Sequence, residues 1–339
     1  MVKRKIFSVL FALVLALGVT LPMATPVMAA TYYVAPGDSI QAAVDSASWG
    51  DTIILNDGTF NDYATVTVGT SGITIKAANP GQAILHGGDG PAFRLADGLS
   101  DVAFEGLVIQ NRTGWRGGGI EAWDRTTSNI NVRNNQFLNN TYNGILVGSE
   151  GGYIHTNWTV RSNVVTGNGF AGIELTNVQD SEIRGNTVAG GTVGILVQAR
   201  NTVADSGMVT VSGVRVMGNT VSGAVWTGVY ILAMASGPTE PFDPIGGAWA
   251  TLEGVMFQGN SVDQSDAGWG AWVYGYLEGY IDNARVIRNT FTSDDGPGVG
   301  IFGNATNTKV VNNTFIDCAP EVADYGEDTK LPPYGPPGE

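Results

Sequence analysis

The chain has 339 residues, a formal net charge of −14, 48 glycines and one cysteine. The acid excess repels phosphate backbones, which excludes nucleic acid as a partner class, and Cys318 alone cannot close an internal disulfide. Stability has to come from packing and hydrogen bonds.

In chain order, Lys3, Arg4 and Lys5 precede an apolar run from Ile6 to Val19, then Pro22 and Val27-Met-Ala29-Ala30. That pattern predicts a signal peptide over residues 1–30, cleaved near Ala29 or Ala30, and hence a secreted, extracellular protein. No later stretch is long and apolar enough to span a membrane, and a monomer is expected.

Residues 38–48 read as the one helix, capped by Asp38 or Ser39, with Ile40, Ala43, Val44 and Ala47 on one face. A short amphipathic helix here covers the open end of whatever stack follows. Asp51–Leu55 then reads as a buried strand turning at Asn56-Asp-Gly58.

From there the text repeats. Asn135, Asn163, Asn186, Asn219, Asn260, Asn289 and Asn313 each stand two residues before a Phe or Val, at intervals of 23 to 41 residues. Most are followed by a glycine and an apolar alternation, as in Gly144-Ile-Leu-Val147, Gly172-Ile-Glu-Leu175 and Gly194-Ile-Leu-Val197. Short period-two strands in a unit of this length predict a stacked β solenoid. Asn suits its corner because it tolerates left-handed backbone angles and its amide can bond an identical amide one coil away. The expected fold is all-β, a right-handed parallel β-helix over residues 31–318 with the N-terminal helix as cap. The acidic, Pro-rich residues 319–339 are expected to form a disordered tail.

Alternation along the post-glycine strand sends one column outward: Arg94, Glu121, Leu146, Glu174, Leu196, Tyr230, Trp272 and Phe302. A neighbouring column holds Trp123, Thr176, Gln198 and Tyr274, and Arg133, Arg161 and Arg184 stack on the strand before the Asn. That Arg ladder reads either as a basic stripe or as a solvated face paired with Glu105, Asp180 or Glu182. Insertions gather after the post-glycine strand, at 149–158, 198–208, 232–249 and 274–283. Loops stacked at one corner wall a groove.

Aromatic residues concentrate there: Tyr142, Tyr153, Trp158, Tyr230, Phe242, Trp249, Trp272, Tyr274, Tyr276 and Tyr280. Rings with polar tips stack on sugars, so an extended extracellular polysaccharide is the expected partner. Glu121 and Glu174, two coils apart, suit an inverting glycosidase pair, unless Arg94 simply neutralises Glu121. For β-elimination, cations must neutralise a uronate carboxylate and a base must take the C5 proton. Arg112, Arg116, Arg125 and Arg200 are the charge candidates, and His155 and Tyr142 the proton-transfer candidates.

Asp38-Ser-Ile-Gln-Ala-Ala43, Gly50-Asp-Thr-Ile-Ile-Leu-Asn-Asp-Gly-Thr-Phe60, Gly72-Ile-Thr-Ile-Lys-Ala77 and Phe104-Glu-Gly-Leu107 resemble the opening of parallel β-helix proteins of the pectate-lyase-like superfamily. Within it they are most similar to polysaccharide lyases of the chondroitinase B and alginate lyase type. The resemblance implies a β-helix and a lyase acting on an acidic glycan. Such lyases use a Lys and an Arg on mid-helix strands, and here the chain departs from the pattern, because Lys76, Lys309 and Lys330 lie away from the middle coils.

The combined expectation is a polysaccharide lyase with Glu121, His155, Glu174 and Arg200 at its catalytic centre. Arg116, Trp123, Tyr142, Gln198, Tyr230, Trp272 and Tyr274 are expected to bind substrate. A non-catalytic glycan-binding or cell-surface protein, and a glycoside hydrolase using Glu121 and Glu174, stand as alternatives. No cofactor is implied; the acidic composition leaves Ca2+ open, although no loop has a spaced Asp-x-Asp pattern.

Overall fold

A computed structural model describes residues 28–203, 207–235, 248–264, 268–277, 279–293 and 296–326. The leader through Val27, Phe242 and the tail from Glu327 onward lie outside the described residues.

Each complete coil lays one strand on each of four parallel sheets. In one coil these are Asn131–Arg133 in sheet I, Gln136–Leu138 in sheet II, Ile145–Gly148 in sheet III and His155–Thr156 in sheet IV. Among the described residues the sheets hold 11, 10, 10 and 8 strands. The chain is a right-handed parallel β-helix. Alternation selects the core: Val132, Phe137, Ile145 and Val147 are fully buried, and so are their partners Val160, Val165, Ile173 and Leu175 one coil on. Each such side chain contributes roughly 1.5–3 kcal/mol of burial.

The Asn column forms a continuous ladder. Asn135 Nδ2 donates to Asn163 Oδ1 at 3.2 Å, and the same bond joins Asn163 to Asn186, Asn186 to Asn219, Asn219 to Asn260, Asn260 to Asn289 and Asn289 to Asn313 at 2.9–3.0 Å. Each amide also donates to a sheet I carbonyl, as Asn219 does to Ile183 O. The left-handed angle falls on the preceding residue instead: Asn134, Ser162, Gly185, Gly218, Gly259, Arg288 and Asn312. The ladder positions therefore need Asn for its amide and not for its backbone tolerance.

Helix α1 spans Ile40–Ser46, inside the expected 38–48, and Ser39 is its cap, accepting from Ala42 N. Ile40 and Val44 are buried, which fits α1 as the cover of the first coil. Arg133, Arg161 and Arg184 stand in register on sheet I, with Arg133 on Glu105 and Arg184 on Glu182. These are half-exposed pairs on a solvated face, worth little each.

The variable arc differs from the loops expected. Much of it is lengthened strand: Val193–Asn201, Thr227–Ala235 and Trp269–Leu277 pair in sheet III, and Gly207–Ser212 pairs with Ala248–Glu253 in sheet IV. Widening the sheets this way keeps backbone groups bonded where free loops would need water. Register also moves one residue from its expected column: Trp272 lies opposite Gly300, and Phe302 opposite Tyr274. Beyond Cys318, the strand Val322–Gly326 pairs with Val299–Gly303 and extends sheet III by one coil.

Candidate functional site

The outward side of sheet III floors a cleft of about 420 Å³. Leu146, Glu174, Leu196 and Tyr230 stand in one register column and Gln198 and Leu232 in the next. Trp115, Tyr142 and Phe170 form the wall on the sheet II side, while Glu150 and Arg200 close the far side. Gly144 and Gly172 begin the strands because a Cβ there would strike the next coil: Gly172 O stands 2.8 Å from the Cβ position of Gly144.

Tyr142 and Phe170 stack with centroids 5.6 Å apart, and Trp115 packs on Tyr142 at 6.3 Å. Both Tyr142 and Phe170 lie two residues before the strand glycine, on successive coils, so the wall is a column of its own. Arg116 spans the N-terminal end: its guanidinium lies over Trp123 at 4.8 Å and Trp115 at 5.5 Å, and Nη1 donates to Glu121 Oε1 at 3.0 Å.

Glu174 is the chemically distinctive group. It is buried, and its oxygens accept from neutral donors, Asn143 Nδ2 at 2.7 Å and Thr176 Oγ1 at 3.1 Å. Burial raises its carboxyl above the usual carboxylate range; the two hydrogen bonds and the more distant Arg200 and Arg116 oppose that rise. Tyr142 is also raised, chiefly by burial and then by the Glu174 charge, so its phenol stays protonated at neutral pH. Tyr230 is raised for the same first reason. Arg200 Nη2 pairs with Glu150 Oε2 at 2.8 Å.

The structure brings together Glu174, Arg200, Arg116, Trp123, Tyr142, Gln198 and Tyr230. It separates five others. Glu121 is buried behind Arg116 and held by Arg94 Nε at 2.8 Å as well, so it sets arginines and does not line the cleft. His155 is in the core, with Nδ1 2.7 Å from Thr127 Oγ1 and Nε2 3.3 Å from Gly148 O. Burial lowers its pKa to about 4, and no cleft ligand reaches it. The reason is register: His155 opens a sheet IV strand and pairs with the core residue Val178. Trp158 is equally buried and donates from Nε1 to Thr127 Oγ1. Trp272 and Tyr274 lie farther along sheet III in an aromatic cluster with Trp269, Tyr276 and Phe302.

Of the remaining charge candidates, Arg125 does not line the cleft. Arg112 is inside the solenoid, donating to the carbonyls of Tyr63, Gly87, Asp89, Gly90 and Pro91. Sequence reasoning missed Trp115, Phe170, Glu150 and Trp226 as cleft residues. The signal for two of them was the aromatic two residues before the strand glycine, in Phe170-Ala-Gly172 and Trp226-Thr-Gly228. Among the described residues no three His, Cys, Asp or Glu side chains cluster as a ready metal cage, and none of the cleft carboxylates supplies the oxygen set calcium takes.

A family described as right handed beta helix region matches residues 100–236, the stretch that contains the cleft's floor. No curated protein matches the chain. Among solved structures, DFA-IIIase from Arthrobacter chlorophenolicus A6 in complex with DFA-III is similar at 15% identity and TM-score 0.55, covering 84% of this chain and 83% of that one. The Dettilon tailspike protein is similar at 14% identity and TM-score 0.53, covering 88% and 67%. XylC in complex with xylose is similar at 11% identity and TM-score 0.52, covering 83% and 70%. At these identities the likeness is one of fold. A specific likeness to chondroitinase B or alginate lyases is not among these findings.

Proposed function

We propose that this chain is a secreted carbohydrate-active protein that binds a glycan in the sheet III cleft and cleaves it with Glu174 as the proton-transfer group. The observation that carries this reading is the placement of Glu174, buried in an aromatic-walled cleft and bonded only by neutral donors. Burial favours the protonated form of such a carboxyl, which can deliver its proton to a leaving glycosidic oxygen while water attacks the sugar carbon. Trp115, Tyr142 and Phe170 offer stacking faces for sugar rings, and Gln198 and Tyr142 offer hydrogen bonds to hydroxyls. Two of the structures similar in fold contain a bound saccharide by name, DFA-III and xylose, which supports a saccharide as the ligand class. Export is supported by the leader's sequence and by the first described strand, Thr31–Val34, which cleavage near Ala30 leaves intact.

Polysaccharide lyase activity on an acidic glycan is the second reading, favoured by Arg116 and Arg200, which both line the cleft. Against it, each of those guanidiniums already faces a carboxylate, Glu121 and Glu150, so neither is a free cation for a uronate. An uncharged glycan makes no such demand.

The test is incubation with xylan, inulin, alginate, pectate and chondroitin, following both new reducing ends and ultraviolet absorbance of unsaturated uronate. New reducing ends without absorbance, lost in Glu174→Gln, fit acid-assisted cleavage. Rising absorbance assigns the lyase reading. Neither signal, with glycan retained on the protein, reduces the function to binding.

A further inference from the structure

The cleft has a neighbour. Trp226 stands on the rim of the Glu174 cleft and also lines a second depression of about 500 Å³, formed with Val225, Gly268, Trp269 and Trp272. Val225 and Trp226 are 62% and 57% exposed, so these side chains are not spent on packing the solenoid. Below them, Trp269 meets Trp272 edge to face at 5.0 Å and Phe302 at 5.3 Å, a platform held by its own ring contacts. Trp272 Nε1 is buried without a hydrogen-bond partner, an unmet donor at a depression otherwise almost wholly apolar.

The register gives this arrangement a direction. Ala171, Val193 and Thr227 pair in succession, so the residues before them, Phe170, Thr192 and Trp226, occupy one column. Trp226 N bonds Thr192 O, and Trp269 N bonds Trp226 O. Phe170 and Trp226 are thus two coils apart, ~9–10 Å at the usual strand spacing, with the smaller Thr192 between them. The smaller Thr192 thus separates two aromatic residues of one column. One coil later Gly268 takes that column, and Trp269 stands beside it, paired with Thr227.

We infer that the depression at Trp226, Trp269 and Trp272 is a distal sugar subsite, so that a bound glycan runs along the helix axis from Glu174 across Trp226. The inference rests on the glycan reading of the cleft and adds chain-length selectivity to it. The occupant is a saccharide and not a second copy of the chain, because the depression continues the cleft through a shared Trp226 and offers a few indole rings in place of a broad flat face.

The experiment compares the full chain with Trp226→Ala, Trp269→Ala and Trp226→Phe, using a disaccharide and a longer oligosaccharide from each of the glycans named above. Affinity is read by calorimetry, and fold by circular dichroism. Wild type binds the longer chain more tightly than the disaccharide. Both alanine variants are expected to lose about five- to tenfold of longer-chain affinity, the equivalent of ~1–1.4 kcal/mol. The disaccharide affinity of Trp269→Ala stays unchanged, and Trp226→Phe recovers most of the loss at Trp226. Equal longer-chain affinity in wild type and Trp269→Ala overturns the subsite while leaving the cleft reading intact. Failure of wild type to bind any glycan overturns both. A self-association measured by sedimentation that Trp226→Ala abolishes overturns the subsite in favour of an interface between copies.

Discussion

Asn143 Nδ2 donates to Glu174 Oε2 across 2.7 Å, from one coil to the next, and both side chains are buried. A neutral donor at this place orients the carboxyl without fixing its charge, whereas Glu121 is bracketed by the guanidiniums of Arg94 and Arg116. The solenoid thus gives two glutamates of one column opposite roles.

Replacing Glu174 by Gln keeps shape and removes the proton. Turnover is expected to fall by roughly 10²–10⁴-fold, with glycan binding retained. Because the folded-state pKa of Glu174 is raised, the wild-type fold is penalised as pH rises through that pKa and not below the unfolded carboxyl value of about 4.3. Glu174→Gln is therefore expected to melt at higher temperature than wild type at neutral pH, with the difference closing in acid. Thermal unfolding across pH checks this.

The sign reverses for His155. Its folded pKa lies at about 4 against the ordinary imidazole value of 6.5, so the neutral ring contributes stability above pH 6.5 that is lost as pH falls through 4. The expected loss over that window is on the order of 3 kcal/mol. A His155→Gln variant is expected to show a flatter acid limb in urea titrations, whatever its stability at neutral pH.

Asn219 occupies the middle of the amide ladder. Asn219→Ala leaves Asn186 Nδ2 and N without their Oδ1 acceptor and Ile183 O without its donor. Buried unmet groups cost ~1–3 kcal/mol each, so a loss of several kcal/mol is expected by urea unfolding. Asn313→Ala, at the ladder's half-buried end, is expected to cost clearly less.

Arg112 spreads its donors over five carbonyls in the first coils and lies over the Tyr63 ring at 4.7 Å. Arg112→Lys is expected to fail as a substitute, since an ammonium has three donors and no planar fork. The expected result is destabilisation close to that of Arg112→Met, measured by chemical unfolding.

The solenoid and its polar spine were legible in the sequence because stacking turns a one-dimensional repeat into a column: identical spacing puts Asn on Asn and Val on Val. The same logic carried Glu174, Gln198 and Tyr230 to one face. A second ladder, in which Asn140 donates to Asn168 at 2.9 Å, was equally readable, since each lies five residues after a ladder Asn.

Tertiary structure alone decided which outward residues see solvent, and which are roofed by a neighbour. Glu121 and Glu174 are equivalent by spacing and equally buried, yet two arginines reach the first and two neutral donors the second. His155 sits at a corner where a shift of one residue exchanges core for cleft, and spacing from a glycine does not fix that register. Widened strands replaced the expected loops because an inserted segment can pair with its counterpart one coil away, a choice made only when both insertions are present in space. The sequence by itself determined the repeat, the coil and the faces; side-chain reach between coils decided the site.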